Sequence, residues 1–199
     1  MISAFAVYLR LGFEHLLDLR GYDHILFLAV LCAAYSLARW RELLVLVTAF
    51  TIGHSVSLAV ATLRLVRVDT GLVEFLIPVT IAATAATNLA GLRREDPAEH
   101  RVAARPLRYA LALVFGVVHG LGFSNFLRLA LGEERSLFVP LLSFNIGLEL
   151  AQIVVAAGVL AVALVAVRLL SLPERLWTFL LSALAGGVAA AMAVQRWPL

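Results

Sequence analysis

What constrains this chain most is a series of long apolar runs, each close to the length that crosses a bilayer. The clearest are Tyr22–Ala38, Leu43–Leu63, Gly71–Leu92, Leu107–Leu131, Leu137–Leu170 and Leu176–Val194. A hydrocarbon core about 30 Å thick takes roughly 20 helical residues. In lipid every backbone polar group must find a partner within the protein, which leaves helices or a closed barrel. The runs are continuous rather than alternating, so helices are expected. Composition agrees: 62% of the 199 residues are hydrophobic and 15% charged, against about 45–50% apolar and about 25% charged in soluble domains. A soluble protein of this size has no place to bury that much apolar surface. Residues 1–199 therefore read as a single transmembrane domain, an all-α integral membrane bundle of about six or seven helices with no soluble module.

Three segments need separate treatment. Leu137–Leu170 is too long for one span, and Pro140 and Gly147 suggest a short lead-in helix or a kink. Residues 1–20 carry Arg10, Glu14, Asp18 and Arg20, too polar for an ordinary span, and are expected to form an interfacial or partly inserted helix that Gly21 bends into the first full span. Residues 93–108 form the one long polar stretch, with Arg93, Arg94, Arg101, Arg105 and Arg108 around the Asp96-Pro97 breaker. The positive-inside rule puts this loop in the cytoplasm, and counting spans puts the C-terminus outside. All 16 basic residues are arginine and none is lysine, a bias that suits a GC-rich bacterial genome and hence a multi-pass protein of the inner membrane. The arginines sit mostly between the runs, where they set topology and leave no nucleic-acid footprint. The single cysteine, Cys32, lies inside an apolar run and offers no disulfide framework. The N-terminus lacks a basic n-region and a cleavage site, so it does not read as a removable signal. No soluble-type repeat or low-complexity segment is visible.

The ionisable residues within the runs carry the functional argument. His15, His24, His54 and His119 fall in or beside apolar segments, together with Asp23, Glu74 and Glu149. A charge at the membrane centre costs about 2.5–3.5 kcal/mol on insertion scales, and such residues mark function by default. Their spacing adds to this. Asn145, Glu149 and Gln152 lie at i, i+4 and i+7, one stripe of a helix. Glu74 and Asn88 are close to four turns apart, with Thr84 beside them. Thr51, His54, Ser55 and Ser57 form another polar patch, and glycines flank His119 at Gly116 and Gly120, where a neighbouring backbone can approach. Stripes on several helices escape lipid only by facing one another, which predicts one interior site. Imidazole with carboxylate suits Ni, Co, Zn, Fe or Cu(II). Cu(I) is disfavoured, since Cys32, Met1 and Met192 are the only sulfurs. Ser55, Asn88, Asn145 and Gln152 are candidates to support the ligands.

Plainer readings stand beside these. Asp23 follows a bend and could cap a helix. His54 could be a neutral histidine bonding across helices, and Glu149 a protonated side chain paired with Asn145 or His119. Glu74 lies near a span end within reach of headgroup water, and His100 is solvated in the arginine loop. The glycines around His119 could serve packing alone.

The motifs Gly12-Phe13-Glu14-His15, Gly21-Tyr22-Asp23-His24-Ile25-Leu26-Phe27 and Phe50-Thr51-Ile52-Gly53-His54-Ser55 occur in order along the chain. They are followed by Asn88-Leu89, Phe115-Gly116-x-x-His119-Gly120-x-Gly122-Phe123 and Phe144-Asn145-Ile146-Gly147-x-Glu149-x-x-Gln152. Together they resemble the HupE/UreJ family of small bacterial membrane proteins, several of which are regarded as nickel or cobalt permeases. The chain departs from the nickel-permease pattern at three points: seven residues separate His15 from Asp23, Phe115 replaces a histidine, and Gly122 replaces a glutamate. The resemblance implies a membrane metal-handling protein. The leading expectation is a permease for a divalent transition-metal ion (nickel, cobalt or zinc), with His15, Asp23, His24, His54, His119 and Glu149 as ligands. The alternatives are an intramembrane metal-dependent hydrolase acting on a lipid or lipid-linked substrate, with Glu149 or Glu74 as base, and a metal-binding accessory or assembly subunit. The expected partners are membrane lipids, the ion itself, and a second copy or an accessory subunit.

Overall fold

The computed structural model describes residues 4–93, 105–131 and 136–198; most of the arginine loop, including His100, lies outside them. The described chain is helical throughout: α1 (Ala4–Leu17), α2 (Asp23–Cys32), α3 (Trp40–Thr62), α4 (Thr70–Leu92), α5 (Arg105–Leu131), α6 (Phe138–Leu164) and α7 (Glu174–Gln195). Five of these helices, α3 to α7, are long and apolar enough to cross a membrane. The chain is a multi-pass membrane protein.

Two expectations about the spans change. Leu137–Leu170 contains no separate lead-in helix: α6 runs unbroken from Phe138 and widens into a π-type turn at Val165–Leu169. Pro140 falls in its first turn, where the missing N–H is not needed, and Ser171 ends the element in the left-handed region at φ 54°. The first run, Tyr22–Ala38, forms only the ten-residue α2. It can stop early because side chains take its last carbonyls: Asn88 donates to Val30 O, Thr178 to Ala33 O and Arg39 to Ala34 O. At the start of α4, Asp69 accepts from Leu72 N at 3.0 Å, an ordinary N-cap.

Three helix pairs build the bundle: α3 with α5, α1 with α6, and α4 with α7. In the first two the backbones meet through glycine. Gly116 abuts the Phe50 carbonyl, and Gly53 abuts the Leu113 carbonyl and the Val117 amide. Gly12 abuts the Phe144 carbonyl, and Gly147 abuts the Leu9 carbonyl and the Phe13 amide. The second set is the first with α1 in place of α5 and α6 in place of α3. The sequence follows suit: Leu9-x-x-Gly12-x-x-His15 matches Leu113-x-x-Gly116-x-x-His119, and Phe50-x-Ile52-Gly53 matches Phe144-x-Ile146-Gly147. Ring contacts match as well, His119 to Phe50 at 5.2 Å and His15 to Phe144 at 5.8 Å.

The two halves run in opposite directions. Gly116 and Gly120 of α5 meet Phe50 and His54 of α3 in the same order, so this pair is parallel. The end of α5 and the start of α6 share one apolar cluster, Leu127 and Leu131 with Leu137 and Leu141, so α6 runs back. The third pair is antiparallel: Arg175 at the start of α7 bonds Leu92 O at the end of α4, and Trp197 packs on Phe75. The chain is thus an inverted repeat, α1 with α3 and α4 against α5 with α6 and α7, and α2 is the element without a counterpart. We refer to the end of the bundle where α2 and α4 finish and α5 begins as the arginine end.

A Cβ at Gly12 or Gly116 would strike a backbone carbonyl, and overpacking of this kind costs about 1–3 kcal/mol. Gly12→Val and Gly116→Val are each expected to lower the thermal unfolding midpoint in detergent, by similar amounts. Gly91→Val, with nothing within 4 Å of its Cβ, should leave it unchanged.

Candidate functional site

Four imidazoles meet in the middle of the bundle, one each from α1, α2, α3 and α5. The ring centroids of His15 and His24 are 4.9 Å apart, His24 and His119 5.0 Å, His24 and His54 6.0 Å, and His15 and His54 6.4 Å. The local sequence explains the convergence. His15 and His119 each sit three residues beyond a repeat glycine, and His54 follows Gly53, so each imidazole lies next to a backbone contact. His24 is the second residue of α2, directly after the Asp18–Tyr22 break that separates α1 from α2. Aromatic rings close the surround: Phe27 and Phe50 lie 5.1 and 5.2 Å from His119, and Phe123 lies 3.7 Å from His15.

Two of the imidazoles are held by partners that assign their tautomers. Asp23 Oδ1 lies 3.1 Å from His24 Nδ1 and also accepts from the His24 backbone N–H at 2.9 Å. A carboxylate only accepts, so Nδ1 carries a proton and, in the neutral ring, the lone pair is on Nε2. Thr80 Oγ1 lies 3.0 Å from His119 Nε2 while donating its own proton to Ile77 O at 2.7 Å. His119 Nε2 is therefore the donor, and Nδ1 holds the lone pair. Both Nε2 of His24 and Nδ1 of His119 are buried without a hydrogen-bond partner, as are His15 Nε2 and both nitrogens of His54. An unmet buried polar atom costs about 1–3 kcal/mol. Five such ring nitrogens within one cluster of imidazoles are a poor design for packing and chemically suited to a Lewis acid.

Two of the four ring spacings, His24 to His15 and His24 to His119, match what a shared metal would need, and the two to His54 are longer. Imidazole nitrogens bind zinc-like metals at about 2.0–2.1 Å, which sets tetrahedral ligand rings roughly 5 Å apart, centre to centre. The nitrogens themselves do not yet converge: among the described residues no three His, Cys, Asp or Glu side chains form a ready metal shell.

Of the other expected residues, Glu149 accepts from Thr48 Oγ1 at 2.9 Å and Gln152 accepts from Thr51 at 2.6 Å, so both side chains reach α3. Asn145 donates to Leu141 O, and Ser55 to Thr51 O. Asn88 bonds Val30 O and Ser182 Oγ. Glu74 is exposed in the first turns of α4 whereas Asn88 is buried, so their shared azimuth does not make a shared buried face. Asp23 is the first residue of α2, and the capping position belongs to Tyr22. Two site residues escaped sequence reasoning. Thr80 was hidden among ordinary span threonines, although it follows Pro78 closely. Arg196, whose Nη1 lies 3.3 Å from Asp23 Oδ2, sits at the far end of the last helix.

With this geometry in hand, the family can be stated. The chain belongs to the HupE/UreJ family, described as HupE / UreJ protein, which it matches over residues 1–198. No curated protein and no solved structure matches it. Membership ties this HupE/UreJ protein to transition-metal handling in a membrane.

Thr80→Val keeps the shape but removes the acceptor that fixes His119. Metal affinity in detergent, titrated with Ni, Co and Zn, is expected to fall about 10–100-fold, the usual range for loss of an outer partner, with an unchanged size-exclusion profile. Unchanged affinity would detach His119 from metal binding.

Proposed function

We propose that this HupE/UreJ protein is a permease for a divalent transition-metal ion (nickel, cobalt or zinc) in the bacterial inner membrane. One observation carries the reading: a cluster of partnerless imidazole nitrogens lies where two inverted repeats meet. Inverted repeats with a site at their interface, and a helix broken beside that site, are the architecture of alternating access. His15, His24, His54 and His119 are the proposed ligands, and Asp23 orients His24 while lending its charge. Glu149, engaged by Thr48, is outside the ligand set proposed.

The charge balance favours an ion that leaves as well as enters. Neutral imidazoles contribute no negative charge, and the one nearby carboxylate, Asp23, is already paired with Arg196. A divalent ion would therefore be only partly compensated in a poorly solvated site. Conduction needs binding of that intermediate strength, and protonation of the imidazoles would weaken it further. The hydrolase alternative asks for a carboxylate base beside the metal; Glu74 is exposed and Glu149 is turned toward α3, so neither supports it.

Purified protein in sealed liposomes should accumulate nickel, cobalt or zinc, and His119→Ala should abolish that uptake while the variant still inserts. Arg196→Gln should leave the Asp23 charge uncompensated and tighten metal binding relative to wild type, read by the same detergent titration with Ni, Co and Zn. Liposomes that bind metal but take up none of the three ions would overturn the permease reading.

A further inference from the structure

A cavity of about 220 Å³ opens at the arginine end, away from the imidazoles, between the ends of α2, α4 and α6 and the starts of α5 and α7. Three guanidinium groups, Arg108, Arg168 and Arg175, line it, and Glu174 is the one carboxylate among its walls. Leu92, Leu160 and Leu164 give it apolar lining as well. We propose that this cavity binds an anionic phospholipid, the phosphate held by the arginines and the first part of an acyl chain lying along the leucines.

The argument is one of complementarity. Arginines from three helical segments, far apart in sequence, line one cavity and outnumber its single carboxylate. Arg108 also packs over the Tyr35 ring at 6.0 Å, and Arg175 donates to Leu92 O at 2.9 Å, so two of the three are steadied by the protein. Basic pockets between transmembrane helices at the membrane boundary suit lipid headgroups. The leucine wall rules in an occupant with a hydrocarbon tail, which a free anion lacks. The cavity also reaches Asn88 and Thr178, the residues that hold the last carbonyls of α2. A bound lipid would thus brace the helix that carries His24 at its other end.

The experiment uses the full chain in nanodiscs of phosphatidylcholine, with and without phosphatidylglycerol, followed by delipidation and native mass spectrometry. Phosphatidylglycerol is expected to be retained selectively and to raise the unfolding midpoint, and Arg168→Gln should cut retention about 5-fold, the effect of one guanidinium near a charged headgroup. Arg168 is exposed, so this variant is expected to fold, and Arg168→Lys should restore most of the retention. Equal retention of the two lipids would overturn the proposal, as would retention unchanged in Arg168→Gln. Equal protection by inorganic phosphate alone would assign the arginines to a free anion instead and overturn the lipid.

Discussion

The close approach of backbones at four glycines is the contact on which the rest of this bundle depends. Between transmembrane helices there is little hydrophobic driving force, because lipid is as apolar as leucine, and association rests on packing and interhelical hydrogen bonds. Gly53, Gly116, Gly12 and Gly147 let carbonyls of the facing helices lie where side chains would otherwise stand. That proximity fixes the rotation of α1, α3 and α5 about their axes, and the rotation turns His15, His54 and His119 inward. Larger residues at the glycines would separate the helices and leave the imidazoles without a common centre.

The duplicated contact also explains why the site is nearly but not fully symmetric. His15 and His119 are equivalent, each three residues past its glycine. At the positions related to His54 and Thr51, the second half has Leu148 and Asn145. The missing imidazole is made up by His24 on α2, the helix without a counterpart. A symmetric scaffold thereby holds an asymmetric set of imidazoles, and the break between α1 and α2 lies beside them. Asp23 and Arg196 tie that break to the end of α7, so displacing α7 would act directly on the orientation of His24.

Burial sets the electrostatic character of the centre. Phenylalanines on α2, α3, α5 and α6 surround the rings, and the hydrogen bonds present use up one nitrogen each of His24 and His119. What remains is a set of lone pairs and unbound N–H groups with little formal charge near them. Such a site discriminates by donor chemistry more than by field strength, which fits borderline transition metals better than hard cations that prefer oxygen.

The sequence by itself determined the solvent and the fold class, and it singled out the histidines that cluster in the bundle. Run lengths and hydropathy demand lipid, and His15, Asp23, His24, His54 and His119 stand out because ionisable side chains in apolar runs are costly. It did not determine which of the polar stripes face one another. Glu149, Asn145 and Gln152 form a stripe as clear as any, yet Glu149 and Gln152 bond threonines of α3 and Asn145 bonds its own helix, because azimuth on one helix says nothing about the neighbour it meets. Nor did it reveal the repeat, whose signal is a few residues at spacings that only the glycine contacts make meaningful. The length of α2 was hidden too, since its early stop depends on Asn88, Thr178 and Arg39 reaching its carbonyls from elsewhere. Tertiary structure decided these points for one physical reason: each is a matter of which distant groups satisfy a buried polar atom, and partners far apart in the chain become neighbours only when the helices pack.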